Sequence, residues 1–157
     1  MNPNDSISKS KIILMAEDDV DDRLLARDAL AESGLDGELR FVDNGEELLD
    51  YLHRRGKFDA QTLPPGLILL DLNMPVKDGR EVLREIKSNP ALRQIPVVVL
   101  TTSHADTDIE LIYHLGANSF ITKPVRYELL VDVMRILSQY WLNTVELPAL
   151  TTTTTCA

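Results

Sequence analysis

Residues 67–71 read Leu-Ile-Leu-Leu-Asp. Four consecutive aliphatic side chains with no polar alternation describe a strand buried on both faces, the kind found in a parallel sheet covered by helices. Residues 12–16 (Ile-Ile-Leu-Met-Ala) and 97–100 (Val-Val-Val-Leu) have the same character, and 39–42 and 119–122 supply two more short strands. Helical segments lie between them. Residues 21–33 carry Leu24, Leu25 and Leu30 and stop at Gly34. Asn44 and Glu47 form a capping box ahead of Leu48, Leu49 and Leu52, with Gly56 as the stop. Residues 80–88 turn Val82, Leu83 and Ile86 inward, 106–115 end at Gly116, and the longest helix starts at Tyr127. The order βαβαβαβαβα with right-handed crossovers predicts a doubly wound α/β fold, five parallel strands with five helices. Such sheets bind ligands at the carboxyl ends of their strands.

The chain has 157 residues, 44% hydrophobic and 26% charged, which suits one globular domain. Asp plus Glu number 25 against 16 Lys plus Arg, a net charge of −9, so a phosphate backbone would be repelled and no DNA binding is expected. The lone Cys156 cannot form an internal disulfide. No apolar run nears the ~20 residues of a membrane span, and residues 1–10 lack a signal-peptide core, so a cytoplasmic location is expected. Residues 1–10 and the Thr-rich 148–157 read as disordered ends, leaving a domain over 11–147. His53, His104 and His114 show no metal spacing and read as surface residues.

Glu17 and Asp18 follow the first strand, Asp71 the third, Thr101 and Thr102 the fourth, and Lys123 the fifth. Taken singly, each has an ordinary reading: a helix cap, a turn, strand-end hydroxyls, a snorkelling lysine. Together they deliver carboxylates, hydroxyls and an ammonium to one edge of the sheet. Three carboxylates in one cleft repel unless cations intervene. Lys123 offers one positive charge and a divalent cation two more, which balances the three. Oxygen-only ligands suit Mg²⁺. A metal, a lysine and a hydroxyl form a phosphoryl-binding set, and a carboxylate among them can act as nucleophile to give an aspartyl phosphate.

These residues resemble the receiver domain of two-component response regulators. Residues 71–79 (Asp-Leu-Asn-Met-Pro-Val-Lys-Asp-Gly) look like the receiver phosphorylation loop, Glu17-Asp18 like its acidic pair, Thr101 like the switch hydroxyl, and Lys123-Pro124 like the invariant lysine with a cis proline. Phe120 falls at the aromatic switch position. The resemblance implies a flavodoxin-like sheet of strand order 2-1-3-4-5 and a histidine kinase as phosphoryl source. It implies Asp71 as acceptor, with Mg²⁺ held by Asp18, Asp71, the Asn73 carbonyl and, mostly through water, Glu17. Lys123 and Thr101 would contact the phosphoryl oxygens, and Phe120 would rotate inward. Glu17 replaces a commoner Asp, and Thr102 stands where Ala or Gly is frequent, which implies slower access to the acyl phosphate. Residues 140–148 (Tyr-Trp-Leu-Asn-Thr-Val-Glu-Leu-Pro) resemble the C-terminal extension of small regulators paired with cyanobacterial phytochrome-type kinases.

The reading is therefore a stand-alone phosphoacceptor signalling domain that catalyses only its own phosphorylation and dephosphorylation. A phosphohydrolase of haloacid-dehalogenase type is disfavoured because Asn73, two residues after Asp71, cannot serve as general acid. A phosphate-independent adaptor would not need every site residue. A dinucleotide-binding domain lacks its glycine fingerprint after the first strand. The last helix carries two apolar sets, Leu129, Val133, Ile136, Tyr140 and Leu130, Met134, Leu137, Trp141, extended by Leu142, Val145 and Leu147. One set is enough to pack a helix on a sheet. The second predicts a homodimer through this helix and the C-terminal arm.

Overall fold

The computed structural model describes residues 11–34, 36–102 and 105–148. The disordered ends expected at 1–10 and 148–157 therefore lie outside the described residues, Pro148 apart, and so does His104. Five strands, β1 (Ile12–Ala16), β2 (Glu38–Val42), β3 (Leu67–Leu70), β4 (Val97–Thr101) and β5 (Ser119–Thr122), alternate with α1 (Val20–Ser33), α2 (Gly45–His53), α3 (Gly79–Ser88), α4 (Asp106–His114) and α5 (Tyr127–Ser138). All neighbouring strands pair in parallel in the order β2-β1-β3-β4-β5, the expected topology.

The three aliphatic strands β1, β3 and β4 are buried at every position. Successive side chains point to opposite faces of a strand, so each strand divides its residues between two cores. Leu14, Ala16, Ile68, Leu70, Val97 and Val99 pack with Leu48 and Leu49 of α2, Val82, Leu83 and Ile86 of α3 and Ile112 of α4. Ile13, Met15, Leu67, Leu69, Val98 and Leu100 pack on the other face with α1 and α5.

Three local expectations change. In α1 the inward face is Ala26, Ala29 and Leu30, while Leu24 and Leu25 are exposed. At roughly 100° per residue, Leu24 lies about 120° from Leu30, whereas Ala26 is nearly in line with it; small residues there let α1 lie along α5. The α2 helix ends before Gly56, because Arg54 itself takes the left-handed conformation (φ 55°) and its N–H reaches back to Tyr51. Asn44 caps that helix by accepting from the Glu47 N–H at 2.9 Å, but the Glu47 carboxylate pairs with Lys57 rather than closing the box.

The end of α5 differs most. The chain continues as a π-helical segment, Gln139–Thr144, closed by the Val145 N–H donating to the Tyr140 carbonyl at 3.0 Å. The wider turn swings Leu142 into the α1–α5 core beside Leu30, where a Cβ on Gly37 would stand 3.5 Å from its Cδ1. Asn143 accepts from Lys11 at the start of β1. Residues 140–144 thus fold back on their own domain, and one of the two apolar sets of α5 (Leu130, Met134, Leu137) is core. Leu129, Ile136 and Tyr140 remain exposed. Leu142→Ala should therefore cost about 2–3 kcal/mol in chemical denaturation, whereas Ile136→Ala should change the stability of the monomer, measured at low protein concentration, by less than about 0.5 kcal/mol.

Candidate functional site at the carboxyl edge of the sheet

Because β1, β3, β4 and β5 are parallel, the residues that follow them share one edge. Thr101, the last residue of β4 and fully buried, donates its hydroxyl to Asp71 Oδ1 at 2.9 Å. The Asn73 N–H donates to the same oxygen at 3.0 Å. Both bonds fall on Oδ1, and Oδ2 receives neither. The Lys123 N–H donates to the Thr101 carbonyl at 2.7 Å, which holds the lysine beside β4.

The Lys123 ammonium does not rest on Asp71. It donates to Glu17 Oε1 at 2.7 Å and to Asp22 Oδ2 at 3.1 Å. The Glu17 side chain is only 4% exposed and that of Lys123 14%. Burial opposes the lysine's charge, but its hydrogen bonds and attraction to Glu17, then to Asp22, outweigh that and hold its pKa above the ordinary lysine value. Glu17 Oε2 also accepts from the Asp19 N–H at 3.2 Å. Asp19 proves to be the α1 cap, accepting from the N–H groups of Asp21 and Asp22.

Asp18, Asn73 and Thr102 are exposed, and Asp71 is half-buried. Among the described residues no group of three or more His, Cys, Asp or Glu is gathered to enclose a metal. Asp18, which follows β1, and Asp71 and Asn73, which follow β3, offer only oxygen donors at this edge. Lys123 offsets one of the two charges on Glu17 and Asp22, so the edge keeps a surplus of negative charge for a cation. Phe120 is half-buried against the core, and its N–H donates to the Tyr113 hydroxyl of α4 at 3.2 Å. Every described peptide bond is trans, so the cis proline expected after Lys123 is not found.

The loop between β3 and α3 is tightly determined. A Cβ on Gly79 would lie 2.5 Å from the Asp71 carbonyl oxygen and 2.8 Å from Leu72 Cα. Asp78 caps α3, and Arg80 joins Asp78 to Asp108 on α4. At the apex, Val76 has φ 70° while the Lys77 N–H donates to the Pro75 carbonyl at 2.7 Å, a γ-turn centred on a β-branched residue.

Sequence reasoning overlooked Asp22. It lies in the first turn of α1, where an acidic residue is explained by the helix dipole, so no local signal in the sequence marks it.

A doubly wound α/β domain with a carboxylate, a hydroxyl and an ion-paired lysine at its carboxyl edge defines the class. The sequence pattern of the response regulator receiver domain matches residues 13–135. The chain is 42% identical over 146 residues to response regulator Rcp1 of Synechocystis sp., covering 93% of this chain and 99% of that protein. The crystal structure of the phosphorylated cyanobacterial phytochrome response regulator RcpA superposes with a TM-score of 0.82 at 45% identity, over 88% of this chain and 99% of the other. The Mn²⁺-bound form of Rcp1 gives 0.80 at 43% identity, with the same coverage. This chain belongs to the response regulator receiver family, signalling domains of two-component systems.

The left-handed region costs a β-branched residue on the order of 1–2 kcal/mol, and Asn tolerates it better. Val76 is exposed and contributes little packing. Val76→Asn should raise the unfolding free energy by about 1 kcal/mol, measured by urea denaturation. Gly79→Ala should lower it by more than that, since backbone atoms must move.

Proposed function

We propose that residues 11–147 form a phosphoacceptor switch in which Asp71 takes a phosphoryl group from a histidine kinase. The observation that carries this reading is the convergence of Asp71, Thr101 and Lys123 at one edge, with Oδ2 of Asp71 free of the two bonds on Oδ1. In the step, Oδ2 attacks the donor phosphorus. The new O–P bond forms as the P–N bond of the phosphohistidine breaks, and the imidazole leaves with the electron pair. Asp18, Asp71 and the Asn73 carbonyl would hold Mg²⁺, with Glu17 acting mostly through water; the cation would offset charge on the transferring oxygens. Thr101 already reaches Asp71 and can turn its hydroxyl to a phosphoryl oxygen. Lys123 must redirect at least one N–H toward the same group. Thr102, exposed beside the site, would slow access of water to the product.

Phe120 supports a readout. It is half-buried next to α4, so an inward rotation would alter the α4–β5 surface without disturbing the buried strands. The exposed Leu129, Ile136 and Tyr140 support a homodimer built on α5. The likeness to regulators whose names include phytochrome supports a phytochrome-type kinase as partner. Among the described residues no helix is long and apolar enough to cross a membrane. The net charge of −9 supports signalling through proteins rather than DNA.

With Mg²⁺ and acetyl phosphate, intact-mass spectrometry should show one added phosphoryl group on the wild type and none on Asp71→Asn; equal labelling of both would remove Asp71 from the role. Ile136→Glu should shift a sedimenting dimer to monomer. A wild-type chain that remains monomeric at high micromolar concentration, with or without Mg²⁺ and beryllofluoride, would contradict the dimer.

A further inference from the structure

Lys123 has two carboxylate partners of different kinds. Glu17 is buried, and without the lysine its charge would stand in a low-dielectric environment at a cost of several kcal/mol. That pair is therefore held throughout. Asp22, on the first turn of α1, has a side chain 40% exposed and its bond to Lys123 is the longer one, 3.1 Å against 2.7 Å. Water can solvate Asp22 when the lysine departs, so this bond breaks cheaply. Its neighbour Arg23 fixes the same turn to the sheet edge, donating to the Glu17 carbonyl at 2.6 Å and pairing with Asp43. The Asp22 carboxylate is thereby kept beside the ammonium by the backbone of α1 rather than by chance.

From this geometry we propose that Asp22 is a positioning residue that competes with the phosphoryl group for Lys123. In the resting site it draws the ammonium away from Asp71; when a phosphoryl group arrives, the Lys123–Asp22 bond is exchanged for a Lys123–phosphoryl bond, and the Glu17 pair stays. The inference rests on the phosphoacceptor role of Asp71. It adds that phosphoryl affinity is held below what the site could reach, and that one half-exposed carboxylate sets the difference.

The charge balance gives two effects of opposite sign. Removing the Asp22 charge leaves the edge more positive. A phosphoryl group should then be held more tightly and a divalent cation more weakly. A merely structural loss at α1 would weaken both. The test titrates beryllofluoride into full-length chain at saturating Mg²⁺, followed by fluorine NMR, and separately titrates Mg²⁺ alone. Asp22→Asn should bind beryllofluoride about threefold to fivefold more tightly, the size of one half-exposed ion pair, and should bind Mg²⁺ more weakly. Asp22→Glu, which keeps the charge, should lie between that variant and wild type for both ligands. Unchanged or weaker beryllofluoride binding in Asp22→Asn, with wild-type binding intact and lost in Asp71→Asn, overturns the role of Asp22 alone. Wild-type binding that survives Asp71→Asn, or no binding at all, overturns the phosphoacceptor reading and this one with it.

Discussion

The pair between Glu17 and Lys123 is the interaction on which the site depends. Glu17 follows the central strand β1 and is almost fully buried, so its charge requires a partner inside the fold. Lys123 supplies it from the far side of β3 and β4, beyond the end of β5. Because the lysine is committed to that carboxylate, Asp71 is left to neutral donors, the Thr101 hydroxyl and the Asn73 N–H. A carboxylate held by two weak donors on one oxygen stays available for chemistry, whereas one locked to an ammonium would not.

The fold makes this arrangement rigid where rigidity is needed. Three fully buried strands deliver their following residues to the edge, and the alternation of their side chains ties them to helices on both faces. The segment after β3 is fixed by Gly79, which brings the start of α3 against the Asp71 carbonyl, and by the Asp78–Arg80–Asp108 bridge to α4. The surfaces outside that frame are peripheral: Phe120 on the edge strand, Tyr113 on α4, and the exposed stripe of α5.

The aliphatic strands and the residues at their ends were legible because both follow from short local patterns, whereas the order of the strands in the sheet came from the family resemblance. A continuous apolar run has few alternatives, and Asp71, Thr101 and Lys123 each sit at a run's end. Other features depend on neighbours distant in sequence. Leu24, Leu25 and Leu30 marked α1 by their spacing without fixing its inward face, and packing against α5 selects the alanine-containing face. Trp141 and Leu142 read as an interface arm, yet a π-helical turn, which no propensity pattern announces, places Leu142 in the core. Arg54 and Val76 both take left-handed conformations where glycine or asparagine would be expected. Asp22 was hidden because an acidic residue in the first turn of a helix is explained by the helix dipole alone; only the path of Lys123 shows its second role.

The central claim is that Lys123 serves as a transferable countercharge for a phosphoryl group on Asp71. A crystal structure of the chain with Mg²⁺ and beryllofluoride tests it most directly. The account predicts the beryllium bonded to Asp71 Oδ2, the Lys123 ammonium in hydrogen-bond contact with a fluorine and with Glu17, and Asp22 turned to solvent. Beryllofluoride bound elsewhere, or Lys123 still resting on Glu17 and Asp22 with no fluorine contact, would contradict it.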